Sequence, residues 1–139
     1  MEMRSYNVWI LARPAPDVPG EWVAHCLEFD VMSQGRSLEH ALEMVREAAC
    51  LMAIEELNAG REPTARRAPD EFFLELRGLL ERGEKVPLRD AQTPASGGRV
   101  TLCATQIELR FERTDADCDM VPLSVPPFPV AFTNQQLAC

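Results

Sequence analysis

The residues with the most chemical capacity lie in one short stretch, His25-Cys26-Leu27-Glu28, followed by Asp30. Imidazole and thiolate groups are metal ligands, but His25 and Cys26 are adjacent in a predicted strand. Their side chains therefore point to opposite faces and cannot chelate one ion. Glu28 and Asp30 are similar to the carboxylate pair of metal-dependent nucleases, yet they fall between two predicted strands, where acidic residues commonly form turns. We expect no catalytic residue, no metal site and no cofactor.

The five cysteines also lack a catalytic or metal-binding pattern. They are widely and irregularly spaced and no Cys-x-x-Cys occurs, which disfavours a zinc module or a thioredoxin-like motif. Cys26 and Cys50 lie in apolar patterns typical of small buried residues, and Cys139 is the cysteine that we expect to be most exposed. Gly97-Gly98 lacks the lysine and the flanking pattern of a phosphate-binding loop.

Three strands are predicted ahead of the first helix, at residues 5–12, 21–26 and 31–35. These segments are rich in β-branched, aromatic and alternating apolar residues. One face of the first strand carries Tyr6, Val8 and Ile10. The short connections favour antiparallel pairing. Trp9 and Trp22 fall on adjacent strands, where packing is the favoured role and an exposed subunit contact is the alternative.

Two helices follow in the sequence. Ser37 is a good N-cap and Gly60 a natural stop for the first helix. Its apolar stripe comprises Leu38, Ala41, Leu42, Val45, Ala48, Ala49 and Met52, with Glu43, Arg46, Glu47 and Glu55 mostly on the other side. Asp70 is the predicted cap of a second helix that ends at Gly83. The apolar face of this second helix comprises Phe72, Phe73, Leu76, Leu79 and Leu80.

The last third of the chain carries one clear strand and a proline-rich tail. Residues 91–99 contain a proline and two glycines and are predicted to form a mobile loop. Residues 100–113 alternate in their second half, with Ile107, Leu109 and Phe111 on one face, which predicts a half-buried strand. The tail from Met120 holds four prolines among apolar residues. It is either an extended strap along the body or a docking peptide.

The formal net charge of −8 is unevenly distributed along the chain. Residues 1–60 carry 4 Arg against 10 Asp and Glu, which gives −6, whereas residues 61–99 are at +1 and residues 100–139 at −3. This balance disfavours a general nucleic-acid binder. An acidic first segment suits a basic partner, and the simpler alternative is that the charge keeps the protein soluble. No apolar run approaches the ~20 residues that span a bilayer, and no signal peptide is visible, so we expect no membrane partner and a cytoplasmic location.

The stretch from Trp22 to Leu42 resembles the HicB-like antitoxin family. The shared order is a strand, His25-Cys26-Leu27-Glu28, a second strand ending in Gly35, the Ser37 cap, and a helix that opens with a glutamate and Ala41-Leu42. The resemblance covers about the first 60 residues. It implies an antiparallel three-stranded sheet backed by the helix, with residues 100–113 as a further strand of a partial ribonuclease-H-like fold.

The same resemblance implies a function. Family members bind and block a small basic ribonuclease toxin, and many carry a C-terminal DNA-binding module. No helix-turn-helix or ribbon-helix-helix pattern follows Gly60 here, which puts DNA binding in doubt.

These observations combine into one expectation. The fold class is α+β, with a three- to four-stranded, mainly antiparallel sheet packed by one long helix, plus a second helix and a proline-rich C-terminal extension. Residues 1–60 form the HicB-like core and 61–139 the extension. The function is non-enzymatic binding of a small basic protein by a homo-oligomer. The expected partner contacts are Trp22, His25, Glu28 and Asp30. The alternatives are a purely structural homo-oligomer, in which the second helix and the strap fill the partner's groove, and a metal-dependent nuclease.

Overall fold

A computed structural model describes residues 2–92, 98–114, 119–123, 128 and 130–137. Within these residues the chain forms seven strands and three α-helices. The strands are β1 (Glu2–Pro14), β2 (Trp22–Cys26), β3 (Val31–Gly35), β4 (Glu84–Pro87), β5 (Gly98–Arg113), β6 (Val121–Pro122) and β7 (Val130–Leu137). The helices are α1 (Leu38–Asn58), α2 (Asp70–Arg82) and α3 (Leu88–Gln92), and a short 3-10 helix spans Pro63–Arg66. The α+β class is as predicted.

The strands form one antiparallel sheet in the order β3-β2-β1-β5-β7-β4, with β6 paired to β5. β1 pairs with β5 from Glu2 opposite Arg113 to Ala12 opposite Cys103. The segment predicted at 100–113 is therefore a strand of this sheet, and the structure places it beside β1, on the side opposite β2. The predicted count of three to four strands is too low. β4 has only four residues and ends in Pro87, and the tail is rich in proline, so neither β4 nor β7 gives a clear strand pattern.

α1 begins and ends where the sequence indicates. The side-chain oxygen of Ser37 accepts a hydrogen bond of 3.1 Å from the backbone N–H of His40, which confirms the predicted N-cap. Past the last helical residue, Gly60 adopts φ +77°, a left-handed conformation that glycine takes without strain. Glu39 places negative charge in the first turn, where it favours the helix dipole.

α2 is present, but its predicted cap is wrong. Pro69 occupies the N-cap position without a side-chain hydrogen bond, and Asp70 is the first helical residue. Proline before the helix fixes an extended backbone at this point, so the chain enters α2 without a capping side chain. Asp70 and Glu71 still place acidic groups in the first turn. Gly78 lies inside the helix without interrupting it.

The two longer helices cover opposite faces of the sheet. α1 packs on the larger apolar cluster, to which the buried side chains of Val8, Ile10 and Ala24 belong. Ile107, Leu109 and Phe111 lie in this same cluster, as their alternation predicted. α2 packs on a second cluster whose buried members are Leu11, Leu27, Ala68, Leu76, Leu79, Leu102 and Ala104. Residues on both sides of position 60 thus contribute to one sheet and to both clusters.

The described part of the tail belongs to the sheet, since β6 and β7 both pair with β5. The extended-strap interpretation therefore applies to these residues. Most of the loop predicted at 91–99, together with Cys118, Cys139 and three of the tail prolines, lies outside the described residues. No described helix combines the length and apolar character needed to cross a membrane.

Candidate partner-binding surface

The candidate metal-binding residues in and near the turn between β2 and β3 point to different faces of the sheet. Cys26 belongs to the apolar cluster beneath α1, whereas His25 contacts the ring of Phe72, which belongs to α2, on the other face. The prediction that His25 and Cys26 point to opposite faces is thus confirmed.

His25 is enclosed and paired inside the chain. It is 5% exposed, and its ring meets that of Phe72 edge-on with centroids 4.8 Å apart. Its Nε2 atom lies 2.8 Å from the Oδ1 atom of Asp30. Asp30 has φ +53°, a conformation that Asp tolerates better than most residues. His25 and Asp30 therefore hold the turn together, and Asp30 keeps part of its side chain in solvent.

Glu28 completes the hydrogen bonding of β1 beyond the end of β2. The N–H of Leu27 donates to the carbonyl of Trp9 over 3.0 Å, and the N–H of Trp9 donates to Oε1 of Glu28 over 2.7 Å. Burial raises the pKa of Glu28, and the hydrogen bond from Trp9 opposes that shift. Glu28 also borders a cavity of about 390 Å³ that is lined by Thr64, Arg67 and Phe73 as well. The carboxylate thus acts first as a structural acceptor.

The two carboxylates considered for metal binding, Glu28 and Asp30, each bond to a different partner. Glu28 accepts from the backbone of β1 and Asp30 pairs with His25. Within the described ranges, no group of three or more His, Cys, Asp or Glu side chains is arranged to hold a metal ion.

The described cysteines are free thiols in apolar or partly apolar surroundings. Cys26 and Cys103 are buried, and Cys50 is half-buried. Burial raises the pKa of the Cys26 and Cys103 thiols to about 12. Because the thiolate is the reactive form, these two side chains stay protonated and unreactive near neutral pH.

The four residues expected to contact a partner differ in the surface they offer. Trp22 is 9% exposed and packs beneath α1, so its side chain fills the core. His25 is buried, Glu28 is half-buried, and Asp30 is exposed. Trp9 packs on the opposite face, with its ring centroid 6.2 Å from that of Phe132. Both tryptophans therefore pack against the sheet, on different faces.

The outer face of α1 carries a row of like charge. Glu39, Glu43, Glu47 and Glu55 are exposed and follow a four-residue spacing that only Leu51 interrupts. We call these four glutamates the acidic ridge. Like charges at i and i+4 destabilise a helix slightly, and the only arginine of α1, Arg46, lies over the ring of Phe128, 5.3 Å from its centroid. Among the described residues, neither Glu43 nor Glu47 forms an ion pair.

Two apolar side chains accompany the acidic ridge. Leu51 is 63% exposed and lies within the row, and Met44 is 37% exposed beside it. The surface therefore combines negative charge with exposed aliphatic and thioether groups. Large exposed apolar groups with charged neighbours are typical of protein-binding surfaces.

The outer face of α2 is different, because several of its charges are paired within the chain. Arg77 and Glu81 form an i,i+4 ion pair of 3.2 Å. Arg13 donates to Glu75 over 3.1 Å. Arg67 reaches Asp70 at 3.6 Å. α2 thus presents a mixed and locally neutralised surface.

The acidic ridge was not among the partner contacts expected from the sequence. Its signal was present, since Glu43, Glu47 and Glu55 were predicted on the polar side of the helix. A helical pattern, however, reports only which residues avoid the core and does not distinguish a solvated face from a binding face. One of the pairs that neutralise α2, Arg13–Glu75, joins residues far apart in sequence, so part of the contrast between the helices emerges only in the folded chain.

Comparison of the chain with family models, with curated proteins and with solved structures finds no match.

Proposed function

We propose that this chain is a non-enzymatic HicB-like protein that binds and neutralises a small basic protein, and that the outer face of α1 is the binding surface. The observation that carries the proposal is the acidic ridge with Leu51 inside it. A basic partner gains electrostatic attraction along the ridge, and the exposed apolar side chains supply the desolvated contacts that dominate binding energy.

The intrinsic cost of the ridge supports a binding role. Glutamates four residues apart repel one another and weaken the helix by a few tenths of a kcal/mol per pair, roughly. The chain does place arginines against carboxylates elsewhere, as at Glu56, where Arg61 donates over 2.7 Å. Among the described residues, Glu43 and Glu47 carry charge without an ion pair, and such charge is well suited to a cationic partner.

The chemistry of the β2–β3 turn supports the non-enzymatic part of the proposal. Glu28 and Asp30 are each engaged by a separate partner, and burial keeps Cys26 protonated near neutral pH. We further propose a cytoplasmic location, because the free thiols of Cys26, Cys50 and Cys103 suit a reducing compartment.

An affinity capture from the native host tests the proposal. The tagged full chain is immobilised at low salt, eluted with a salt gradient, and the eluate is read by mass spectrometry. We expect a small basic protein in stoichiometric amount that elutes as the salt rises, because exposed charge pairs are screened. Recovery of the chain alone as a defined oligomer contradicts the proposal.

One observation favours the alternative of a purely structural homo-oligomer. α2 and β7 pack against each other through Leu79, Leu80 and Phe132 on the face opposite α1, so that face of the sheet is already covered by the chain itself. In this case the acidic ridge serves solubility, and replacing its glutamates does not change what the protein binds.

A further inference from the structure

The two terminal strands of the sheet are protected to very different degrees. β4 carries Glu84, Lys85 and Pro87, and charged residues and proline are the usual means by which an edge strand avoids pairing with another chain. β3 reads Val31-Met32-Ser33-Gln34-Gly35, without a charge or a proline. An edge of this composition is open to pairing with a further strand.

We propose that β3 pairs with β3 of a second copy of this chain, antiparallel and about a two-fold axis at Ser33, to form one continuous sheet across a homodimer. This inference does not depend on the binding of a basic protein by α1, because it uses the backbone edge of β3 and not the outer face of α1.

The hydrogen bonding of β2 shows which backbone groups of β3 are available. The N–H of Leu27 donates to Trp9 in β1, and hydrogen-bonded and non-hydrogen-bonded pairs alternate along antiparallel strands. Ala24 therefore directs its backbone groups to β3, where its partner is Ser33. It follows that Met32 and Gln34 direct their N–H and C=O groups away from the sheet. These four groups are the free edge.

A two-fold axis at Ser33 uses all four groups. Met32 of one copy lies opposite Gln34 of the other, so both residues exchange their N–H and C=O bonds, and the symmetry repeats the exchange. The same register places Asp30 of one copy opposite Arg36 of the other, twice in the dimer. Asp30 directly precedes β3 and Arg36 directly follows it, so opposite charges flank an uncharged strand in a self-complementary order. Opposite charges facing across strands stabilise their pairing.

The side chains on this edge also favour a second copy. Met32 is 60% exposed on the face that carries His25 and Asp30. In the proposed register the two Met32 side chains are diagonal neighbours, a distance that long side chains bridge. Pairing therefore covers an exposed apolar group in each copy. On the other face Val31 meets Gly35 of the second copy, which presents no side chain.

Sedimentation equilibrium of the full chain tests the interface. We expect a dimer for the wild type. Arg36→Glu, which places a glutamate opposite Asp30, is expected to raise the dimer dissociation constant at least tenfold, and Arg36→Lys to restore most of the affinity. Lys85→Glu makes the same charge change on the opposite edge strand and is expected to leave the dimer intact. A monomeric wild type, or a dimer that responds to Lys85→Glu and not to Arg36→Glu, overturns the proposal.

A cross-linking experiment tests the register itself. Ser33 on the axis forms a non-hydrogen-bonded pair with its own copy, in which the Cα atoms lie about 4.5 Å apart, a separation that a disulfide spans. We expect Ser33→Cys to give a covalent dimer on mild oxidation, well above the background of the wild-type thiols. Gln34→Cys, whose opposite residue is Met32, is the matched control and is expected to cross-link far less. Equal cross-linking at the two positions contradicts the register.

Discussion

The outer faces of α1 and α2 differ in how many of their charged side chains form ion pairs within the chain. On α2 the ion pairs Arg77–Glu81 and Arg13–Glu75 neutralise Glu81 and Glu75 locally. On α1 Leu51 lies within the acidic ridge, and the one arginine of the helix, Arg46, lies over the ring of Phe128. Surface ion pairs contribute little to stability, so pairing on α2 is not needed for folding. The two faces therefore differ in the charge that they present to solvent, whatever their contribution to stability.

A second difference between the helices concerns how each is held. α1 is capped by Ser37 and packs on the larger apolar cluster. α2 has no side-chain cap and packs on the smaller one. We therefore expect α1, which carries the acidic ridge, to be the more stable of the two helices, and α2 to depend more on its neighbours in the sheet.

The largest expected effect comes from ending the chain after Gly60. The truncated chain loses α2 together with β5, which pairs with β1 along eleven residue pairs. We expect no cooperative thermal transition by circular dichroism and aggregation of the exposed β1 edge. A truncated chain that melts cooperatively near the temperature of the full chain would show that the α1 side folds without the α2 side.

The next largest effect is the loss of unfolding free energy when the core beneath either helix is truncated. Leu42 of α1 is fully buried and Leu76 of α2 is 5% exposed. We expect Leu42→Ala and Leu76→Ala each to lower the free energy of unfolding by about 2–5 kcal/mol, with the larger loss at Leu42. The matched controls are Leu51→Ala and Leu74→Ala on the exposed faces, which should change it by about 0.5 kcal/mol or less. Chemical denaturation measures all four, and a larger loss at Leu76 than at Leu42 would reverse the ranking of the two cores.

A smaller effect separates the capped helix from the uncapped one. Ser37→Ala removes the hydrogen bond to the N–H of His40 and is expected to cost about 1 kcal/mol of the free energy of unfolding. Asp70→Ala removes a charge near the start of α2 together with its exposed ion pair with Arg67, and is expected to cost about 0.3–0.5 kcal/mol. Denaturation midpoints compare the two variants. Equal costs would mean that Asp70 acts as a cap in solution.

The smallest effect is a pair of pH dependences with opposite signs. Burial raises the pKa of Glu28, so its contribution to stability is present below the unfolded-state pKa and is lost as the pH rises through the folded-state pKa. The hydrogen bond from Arg61 lowers the pKa of Glu56, so its contribution is present above the unfolded-state pKa and is lost as the pH falls through the folded-state pKa.

Thermal melts of two glutamine variants, recorded from acidic to neutral pH, test the signs of these two pH dependences. Glu28→Gln keeps the acceptor for the N–H of Trp9 and should gain stability relative to the wild type as the pH rises from acidic to neutral. Glu56→Gln should be less stable than the wild type at neutral pH, with the difference vanishing in acid. Parallel pH profiles for the three proteins would contradict both assignments.

Local signals predicted much of the fold because they act over a few residues. The alternation of Ile107, Leu109 and Phe111, the Ser37 cap and the apolar stripe of α1 each depend on neighbouring positions in the sequence. β4 and β7 were missed because their pairing is with each other and with β5, far away in the chain. The cap at Asp70 was wrong because Pro69 takes the N-cap position, and residue preference alone does not fix which residue does so.

The candidate site was predicted less well than the fold. His25, Glu28 and Asp30 were predicted as contacts from their residue types. In the structure, Glu28 accepts a hydrogen bond from the N–H of Trp9, and Asp30 pairs with His25. Trp22 was predicted as a contact, and the structure buries its side chain under α1. Charge compensation depends on tertiary neighbours such as Arg13 beside Glu75, so the contrast between the two helical faces could not be obtained from periodicity.

The measurement that tests the central claim most directly is a paired affinity capture from the native host. One variant carries Glu43→Gln, Glu47→Gln and Glu55→Gln on α1. The other carries Asp70→Asn, Glu71→Gln and Glu81→Gln on α2. Each removes three negative charges from the net −8, so both have the same total charge. We expect the α2 variant to retain the basic partner at the wild-type level and the α1 variant to lose most of it. Equal retention by the two variants, or loss only from the α2 variant, would contradict the assignment of α1 as the binding face.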